Sequence, residues 1–196
     1  RFDAGSKAMY AVDGSNYRQP PIGVVIPKSK EDVVHTVAAC RKFHAPLLSR
    51  AGGTSLAGQC CNTAIVMDWS KYMHGVLELN AKERWARVLP GTVCDELRNR
   101  ALKETNNMLN WGPDPATHNH CCFGGMIGNN SCGAHAQMSG RTSENIEEME
   151  ILLYDGTRMT VGAASEGELE RIIQEGGRKG EVHAQLKALR DRYADE

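Results

Sequence analysis

The stretch from Arg50 to Gln59 restricts the fold of this chain more than any other part of it. Its sequence is Arg-Ala-Gly-Gly-Thr-Ser-Leu-Ala-Gly-Gln, and it directly follows a short apolar run. Because glycine has no Cβ atom, such a backbone can adopt positive φ angles and approach a ligand closely. Consecutive N–H groups can then form a concave anion site, to which Thr54 and Ser55 add hydroxyl donors. The stretch therefore predicts a loop that binds a phosphate or a diphosphate.

The two best-known phosphate loops do not match this stretch. A P-loop requires Gly-Lys followed by Ser or Thr, and no lysine is present. A Rossmann loop requires Gly-x-Gly-x-x-Gly at the start of a helix, and the spacing from Gly53 to Gly58 differs from it. Two roles are open to Arg50, which either contacts the diphosphate or fixes the loop. A glycine-rich surface turn is the alternative interpretation of the whole stretch.

Composition excludes several classes of function. The formal net charge of −1 provides no broad basic field for nucleic acid or an anionic membrane. No apolar run approaches the ~18 residues of a membrane span. The seven cysteines include no Cys-x-x-Cys pair, so the regular spacings of zinc ribbons and iron–sulfur runs are absent. The 196 residues fit one domain or two small subdomains, and free thiols favour a reduced, cytoplasmic compartment.

Hydrophobic patterns in the first half of the chain predict a βαβ unit. Strands are expected at Ile22–Ile26 and Pro46–Ser49, and between them Ser29 begins a helix with Asp32 as its capping-box partner. Strands connected in this way run parallel, so the glycine-rich stretch follows the carboxyl end of a strand, where α/β sheets usually bind ligands. A third strand is expected at Ala64–Asp68.

A hairpin and a helix are predicted next. The strands of the hairpin are Gly75–Leu79 and Arg84–Leu89. Thr92 is then expected to cap a helix, with Asp95 as its capping-box partner.

The last third of the chain predicts a second hairpin and two helices. The strands are Ile146–Tyr154 and Arg158–Val161, joined by a two-residue turn at Asp155-Gly156. Ser165 is expected to cap the next helix, and apolar residues around Leu186 indicate a final amphipathic helix.

The stretch from Asn110 to Gly133 is the second informative part of the sequence. It contains Trp-Gly-Pro-Asp-Pro-Ala-Thr from Trp111, and Gly-Gly-Met-Ile-Gly-Asn-Asn-Ser-Cys-Gly from Gly124. The prolines on both sides of Asp114 fix φ and stiffen the chain. A loop of this length without secondary structure is usually functional, although a long surface loop is the alternative.

In their order along the chain, these motifs resemble the PCMH-type FAD-binding domain of the FAD-linked oxidases, the vanillyl-alcohol oxidase superfamily. The similarity extends from about Tyr10 to the C-terminus, and it is closest to the glycolate oxidase and D-lactate dehydrogenase branch, in particular to long proteins that join an FAD domain to an iron–sulfur domain. The resemblance implies an α+β fold of two lobes. A small βαβ lobe would cover about 1–88, and a larger, mostly antiparallel β lobe with flanking helices would cover about 89–196. The resemblance also implies that the FAD domain is truncated at its C-terminus and that the substrate-cap domain is absent.

The resemblance further implies that FAD binds between these lobes. Its diphosphate would lie on Gly52–Ser55, and its isoalloxazine ring would face Pro113–Thr117 and Gly124–Gly133. The cofactor-binding residues implied in this way are Arg50, Ala51, Gly52, Gly53, Thr54, Ser55, Gly58, Gln59, Pro90, Gly91, Pro113, Asp114, Pro115, Thr117, Gly124, Gly125, Met126, Ile127, Asn129, Asn130, Gly133, Gly140 and Ile146.

The residue at position 54 bears on how the flavin is held. Superfamily members with a covalent flavin commonly have a histidine at this position, and this chain has Thr54. We therefore predict that FAD is bound non-covalently. His118 and His120 remain as candidates for covalent attachment.

The resemblance implies oxidation of a 2-hydroxy acid by hydride transfer to FAD. Electrons would then pass to an iron–sulfur domain or subunit, or to a quinone. In the family the substrate-binding and proton-handling residues lie further toward the C-terminus, so no catalytic base is identified here and the chain alone is expected to show at most weak turnover. The resemblance is compatible with a cytoplasmic protein or with one that is peripheral to the inner membrane through its electron acceptor.

Two other classes of function remain open. One is a flavin-binding module without catalysis of its own. The other is a metal-dependent hydrolase, because His118, His120, Cys121 and Cys122 lie close together in sequence and carry metal-ligating atoms. Adjacent cysteines are poor ligands for a single tetrahedral metal, and no distant pair completes the set.

Overall fold

The computed structural model describes residues 1–194, and the chain divides into two compact units, Arg1–Asn145 and Ile146–Glu196. The first unit contains, in chain order, α1 (Ala4–Met9), β1 (Gly23–Val25), α2 (Lys30–Lys42), β2 (Leu47–Arg50), β3 (Ile65–Asp68), β4 (Val76–Asn80), β5 (Trp85–Val88), α3 (Cys94–Glu104), α4 (Phe123–Asn129), α5 (Ala136–Ser139) and a 3₁₀ helix (Thr142–Asn145). The second unit contains β6 (Glu148–Leu152), β7 (Arg158–Gly162), α6 (Glu166–Glu175) and α7 (Gly177–Arg192). This mixture confirms the predicted α+β class.

The first unit is built on a three-stranded parallel sheet in the order β1-β3-β2. Both β1 and β2 pair with β3 in parallel, so the parallel βαβ arrangement is confirmed, with β3 inserted between the strands that α2 connects. All residues of β3 are buried, which explains why it is an uninterrupted apolar run up to Asp68. Helix α2 begins at the predicted capping box of Ser29 and Asp32.

The predicted hairpin of β4 and β5 is confirmed, but the predicted cap of α3 is wrong. The residue before α3 is Val93, and no side chain caps the helix. Thr92 is fully buried, and its hydroxyl accepts from the Gly75 N–H (2.9 Å) and donates to the Gly75 carbonyl (3.0 Å). Threonine suits a cap and a buried turn equally well, so the sequence pattern does not distinguish the two roles.

The prediction of a structureless loop from Asn110 to Gly133 is also wrong, because this stretch contains α4. Gly-Gly-Met-Ile-Gly has a poor intrinsic preference for a helix, which hides α4 from sequence patterns. Tertiary packing compensates, since Phe123 and Met126 are only 2% and 1% exposed. The helix ends at Asn130, which has φ +47° and donates its N–H to the Ile127 carbonyl.

The second unit consists of the antiparallel pair β6–β7 followed by α6 and α7. Its turn differs from the predicted two-residue form. Leu153 donates to the Thr157 carbonyl, so three residues form the turn, and Gly156 at φ +93° supplies the positive φ that closes it. Ser165 caps α6 as predicted. Within residues 1–194, no helix combines the length and the apolar content that a membrane span requires.

Candidate functional site

The loop after β2 is held in shape by Arg50. One guanidinium nitrogen of Arg50 donates to the carbonyls of Val12 (2.7 Å) and Cys60 (3.3 Å), and the guanidinium carbon lies 5.4 Å from the centre of the Tyr10 ring. The Arg50 guanidinium therefore binds one carbonyl oxygen from the N-terminal segment and one from the end of the loop. Of the two roles open from the sequence, this geometry favours fixing the loop.

A turn at Asp13 supports the same loop from the N-terminal side. The Asp13 carboxylate accepts from the N–H groups of Ser15 (2.9 Å) and Cys60 (3.1 Å), and the Gly14 N–H donates to the Gly53 carbonyl (2.9 Å). Burial alone would raise the pKa of Asp13, but the hydrogen bonds from Ser15 and Cys60 hold it below its ordinary value. An Asp-Gly-Ser sequence is typical of a turn, and it does not indicate the contact with Cys60.

Each of the two central glycines of the loop is required for a different reason. Gly53 has φ +64°, and a Cβ atom there would lie 2.7 Å from a guanidinium nitrogen of Arg50. A Cβ atom on Gly52 would overlap the carbonyl oxygen of His120. The loop therefore packs directly against the segment that precedes α4, so the two predicted parts of the site are neighbours.

Some donors of the loop have no partner within the protein. In the described part of the chain, no hydrogen bond uses the N–H of Gly53, the N–H of Thr54 or the hydroxyl of Thr54. Two hydrogen bonds lie within the second half of the loop, since the Gln59 N–H donates to the Ser55 hydroxyl (3.3 Å) and the Ala57 N–H donates to the Gln59 side chain (3.3 Å). Gly58 has φ +77° and packs on the Tyr17 ring. Free donors on a half-buried, fixed loop fit an anionic group such as a diphosphate.

Next to the loop contact, the chain entering α3 lies along the chain entering α4. The Gly124 N–H donates to the Pro90 carbonyl (2.8 Å), and the Cys94 N–H donates to the Cys121 carbonyl (2.9 Å). A Cβ atom on Gly91 would overlap the Trp69 carbonyl oxygen, so this buried glycine is a packing requirement.

A small apolar core anchors α4 in this position. Cys94, Cys121 and Met126 form a buried cluster, and Trp111 packs against it. The ring of Trp111 meets that of Phe123 edge to face, with centroids 5.0 Å apart. Met126 is 1% exposed, so its side chain supports the helix from inside.

The opposite face of α4 is open. Cβ atoms on Gly125 and Gly128 would meet no atom within 4 Å. Asn129 is exposed beside them, whereas Ile127 is partly buried. A bare backbone surface of this kind allows a flat ligand to approach closely.

The cysteines and histidines near α4 have separate partners. Interaction with the Cys94 thiol lowers the pKa of Cys121, and burial raises the pKa of Cys122 to about 11. His118 Nδ1 lies 2.8 Å from both carboxylate oxygens of Asp95, and His120 Nδ1 contacts the side chain of Asn119. Within residues 1–194, no group of three or more His, Cys, Asp or Glu side chains is placed to hold a metal ion. The hydrolase hypothesis therefore has no geometric support among them.

Asp114 and Gly133 connect the two ends of the segment that contains α4. A Cβ atom on Gly133 would overlap the Asp114 carbonyl oxygen, and the Asp114 carboxylate binds His135. Pro113 is fully buried. The Thr117 carbonyl accepts from the N–H groups of His120 and Cys121 (both 2.8 Å). His135 was not predicted from the sequence, and no spacing rule would have indicated it.

Nearly all the sequence-predicted residues therefore belong to the first compact unit. Gly140 has φ +71° and follows α5, at the edge of this unit. Ile146 alone belongs to the second unit.

Comparison with known proteins identifies the family. Residues 21–162 match the model of the family described as FAD binding domain. The chain is 33% identical over 196 residues to D-2-hydroxyglutarate dehydrogenase of Pseudomonas putida, covering 98% of this chain and 19% of that protein. It is 31% identical over 159 residues to glycolate oxidase subunit GlcD of Escherichia coli, covering 79% of this chain and 31% of that protein.

Two further comparisons extend this result. D-lactate dehydrogenase [cytochrome] of Kluyveromyces lactis is 29% identical over 160 residues, covering 80% of this chain and 27% of that protein. A solved structure of alkyldihydroxyacetonephosphate synthase has a TM-score of 0.70 at 18% identity, covering 85% of this chain and 32% of that chain, a similarity of fold alone. The chain spans less than a third of each curated relative named here. Since the family match extends over most of the chain, it belongs to the FAD binding domain family, and its cofactor is FAD.

Proposed function

We propose that the first compact unit binds FAD with the diphosphate on the Gly52–Ser55 loop. The observation that carries the proposal is the contact between Gly52 and His120, because it brings the loop beside the segment that leads into α4. The free N–H groups of Gly53 and Thr54 support a diphosphate at this point. No lysine is needed, since backbone dipoles and the Thr54 hydroxyl offset the negative charge.

The isoalloxazine ring would lie against the Pro113–Thr117 segment and the open face of α4. Gly125 and Gly128 leave that face without side chains, and Pro113 and Pro115 hold the neighbouring loop in one conformation. When bound, FAD supplies the redox chemistry, and these residues orient it and exclude water from one side of it. The remaining residues implied by the family resemblance belong to the same proposal.

We also propose that FAD is held without a covalent bond at the loop. Position 54 is a threonine, whose hydroxyl binds a phosphate but does not form the flavin linkage that a histidine would provide. Denaturation in acid should therefore release all of the flavin into solution. His118 and His120 would be implicated if flavin remained attached to the polypeptide.

The protein that carries this chain is proposed to oxidise a 2-hydroxy acid by hydride transfer to FAD. The names of the relatives support this class, since they are a 2-hydroxyglutarate dehydrogenase, a glycolate oxidase subunit and a D-lactate dehydrogenase. The substrate would bind mainly to regions outside this chain, and the catalytic base would be a residue of those regions. Electrons would pass to an iron–sulfur domain or subunit, in the cytoplasm or at the inner membrane surface.

A flavin-binding module without catalysis of its own is the second candidate. It is favoured by the character of the site, because the glycine-rich loop and the open face of α4 are suited to holding a cofactor and include no assigned catalytic group. Redox activity of the full-length protein with 2-hydroxy acids would exclude it.

The boundary between two lobes near residue 88 remains part of the proposal.

The proposal is tested by adding FAD to the purified chain and removing the excess by gel filtration. We expect flavin absorbance bands near ~370 and ~450 nm to remain with the protein. Gly53→Ala should lose them, because alanine is strained at φ +64° and meets the Arg50 side chain. Gly167→Ala is the matched control, since a Cβ atom there meets nothing within 4 Å. Absence of the bands from the wild-type chain would contradict the proposal.

A further inference from the structure

A hydrogen-bonded pair joins Asp114, which the sequence patterns identified, to His135, which they did not. The Asp114 carboxylate accepts two hydrogen bonds from His135, one from the backbone N–H (3.2 Å) and one from ring nitrogen Nδ1 (2.5 Å). The Asp114 side chain is 14% exposed and the His135 side chain is 66% exposed. The hydrogen bond from the imidazole also lowers the pKa of Asp114, so the carboxylate remains ionised and a full acceptor at neutral pH.

This pair closes a loop around α4. Asp114 lies near the start of the segment and His135 lies just after its end, 21 positions further along the chain. Two close contacts made by glycines lie beside the pair. A Cβ atom on Gly133 would overlap the Asp114 carbonyl oxygen, and one on Gly112 would lie 2.7 Å from the Ser139 side chain. The two ends of the segment are thus in contact, and the His135 side chain provides a polar connection between them.

His135 is itself fixed by the short helix α5 that follows it. Its carbonyl accepts from the Ser139 hydroxyl (2.9 Å), and the Asn145 side chain donates to the Ser139 carbonyl (2.8 Å). A connection that is anchored on both sides restricts the enclosed chain more than an isolated hydrogen bond between two mobile loops would. Restricting a binding segment before the ligand arrives reduces the ordering cost of binding.

We infer that His135 is a positioning residue for the flavin: by holding Asp114, it keeps the segment from Gly112 to Gly133 in the conformation that receives the ring. The inference rests on the proposed function, because this segment contains the residues proposed to face the isoalloxazine. His135 acts through Asp114 and need not touch the cofactor.

Three variants test this role. His135→Ala removes the ring donor, and we expect it to weaken FAD affinity about tenfold. His135→Asn keeps an N–H donor at nearly the same distance from the backbone and should restore most of that affinity. His35→Ala is the control, since His35 is exposed on α2, far in sequence from the pair, and it should bind FAD like the wild type. Affinity is measured by flavin fluorescence titration, and the visible circular dichroism of the bound flavin reports its surroundings.

The rescue by asparagine separates positioning from a general loss of folding. Equal FAD affinity and an unchanged flavin dichroism in His135→Ala would overturn the inference, and so would an asparagine variant as weak as alanine.

A second measurement separates this inference from the proposed function. If neither the wild type nor His35→Ala binds FAD, the proposed function fails, and amide hydrogen exchange of residues 110–140 then decides the inference. Faster exchange there in His135→Ala would support the connection, and identical exchange would overturn it.

Discussion

At the residue scale, two glycines of the site are expected to respond in opposite ways to the same substitution. Gly52→Ala should destabilise the protein by about 1–3 kcal/mol, because the new methyl group overlaps the His120 carbonyl oxygen. Gly125→Ala should stabilise the FAD-free protein by about 0.5 kcal/mol, because it adds a helix-favouring residue at an open position of α4. The same variant should weaken FAD binding if the ring lies on that face. Urea denaturation and FAD titration measure the two effects, and tight FAD binding by Gly125→Ala would argue against that placement of the ring.

A single carboxylate under the glycine-rich loop makes stability depend on pH. Hydrogen bonds hold the pKa of Asp13 below its ordinary value in the folded state, so its contribution is fully present above the unfolded pKa of about 3.9 and is lost as the pH falls through the folded pKa. Asp13→Asn should therefore lower the urea midpoint at pH 7 and have a smaller effect at pH 3. An equal effect at both pH values would show that the charge does not contribute.

The same residues show how far a sequence can specify a site. The glycine-rich stretch identified the loop, because glycines allow the positive φ angles and the close backbone contacts that such a loop requires. The role of Arg50 could not be decided in this way, since its acceptors include Val12, 38 positions earlier in the chain. His135 was missed because its partner lies between two prolines 21 positions earlier, and no periodicity relates the two.

At the scale of elements, the stability of α4 depends strongly on tertiary packing. Phe123→Ala should cost about 3 kcal/mol or more, because it leaves a cavity between the helix and Trp111. Phe43→Ala is the matched control, since Phe43 is 74% exposed and its loss should change stability by less than about 0.5 kcal/mol. Denaturant unfolding of both variants gives the comparison. A loss of less than about 1 kcal/mol in Phe123→Ala would mean that α4 is not held by this contact.

The helices differ in whether neighbouring residues or distant contacts specify them. Helices α2 and α6 were predicted together with their N-caps, because the cap and the helix are encoded within a few neighbouring residues. Helix α4 was not predicted, because its glycines oppose a helix locally and its stability comes from buried contacts with α3 and Trp111. The glycines that weaken α4 also leave its outer face open. The glycine content that hid α4 from sequence patterns is therefore what its proposed function requires.

At the scale of the whole molecule, the two compact units have different relations to the site. Arg1–Asn145 contains the glycine-rich loop, the chain entering α3 and the whole segment around α4. Of the residues predicted for the cofactor, the second unit contains Ile146 alone. We therefore expect the first unit to be the part of the chain whose dynamics change when FAD binds.

Amide hydrogen exchange with and without FAD tests this placement most directly. We predict that saturating FAD slows exchange in two separate stretches, residues 50–59 and residues 110–133, while β6 and β7 change little. Binding of FAD with no protection in either stretch would contradict this prediction, because the cofactor would then lie somewhere other than on the glycine-rich loop and α4.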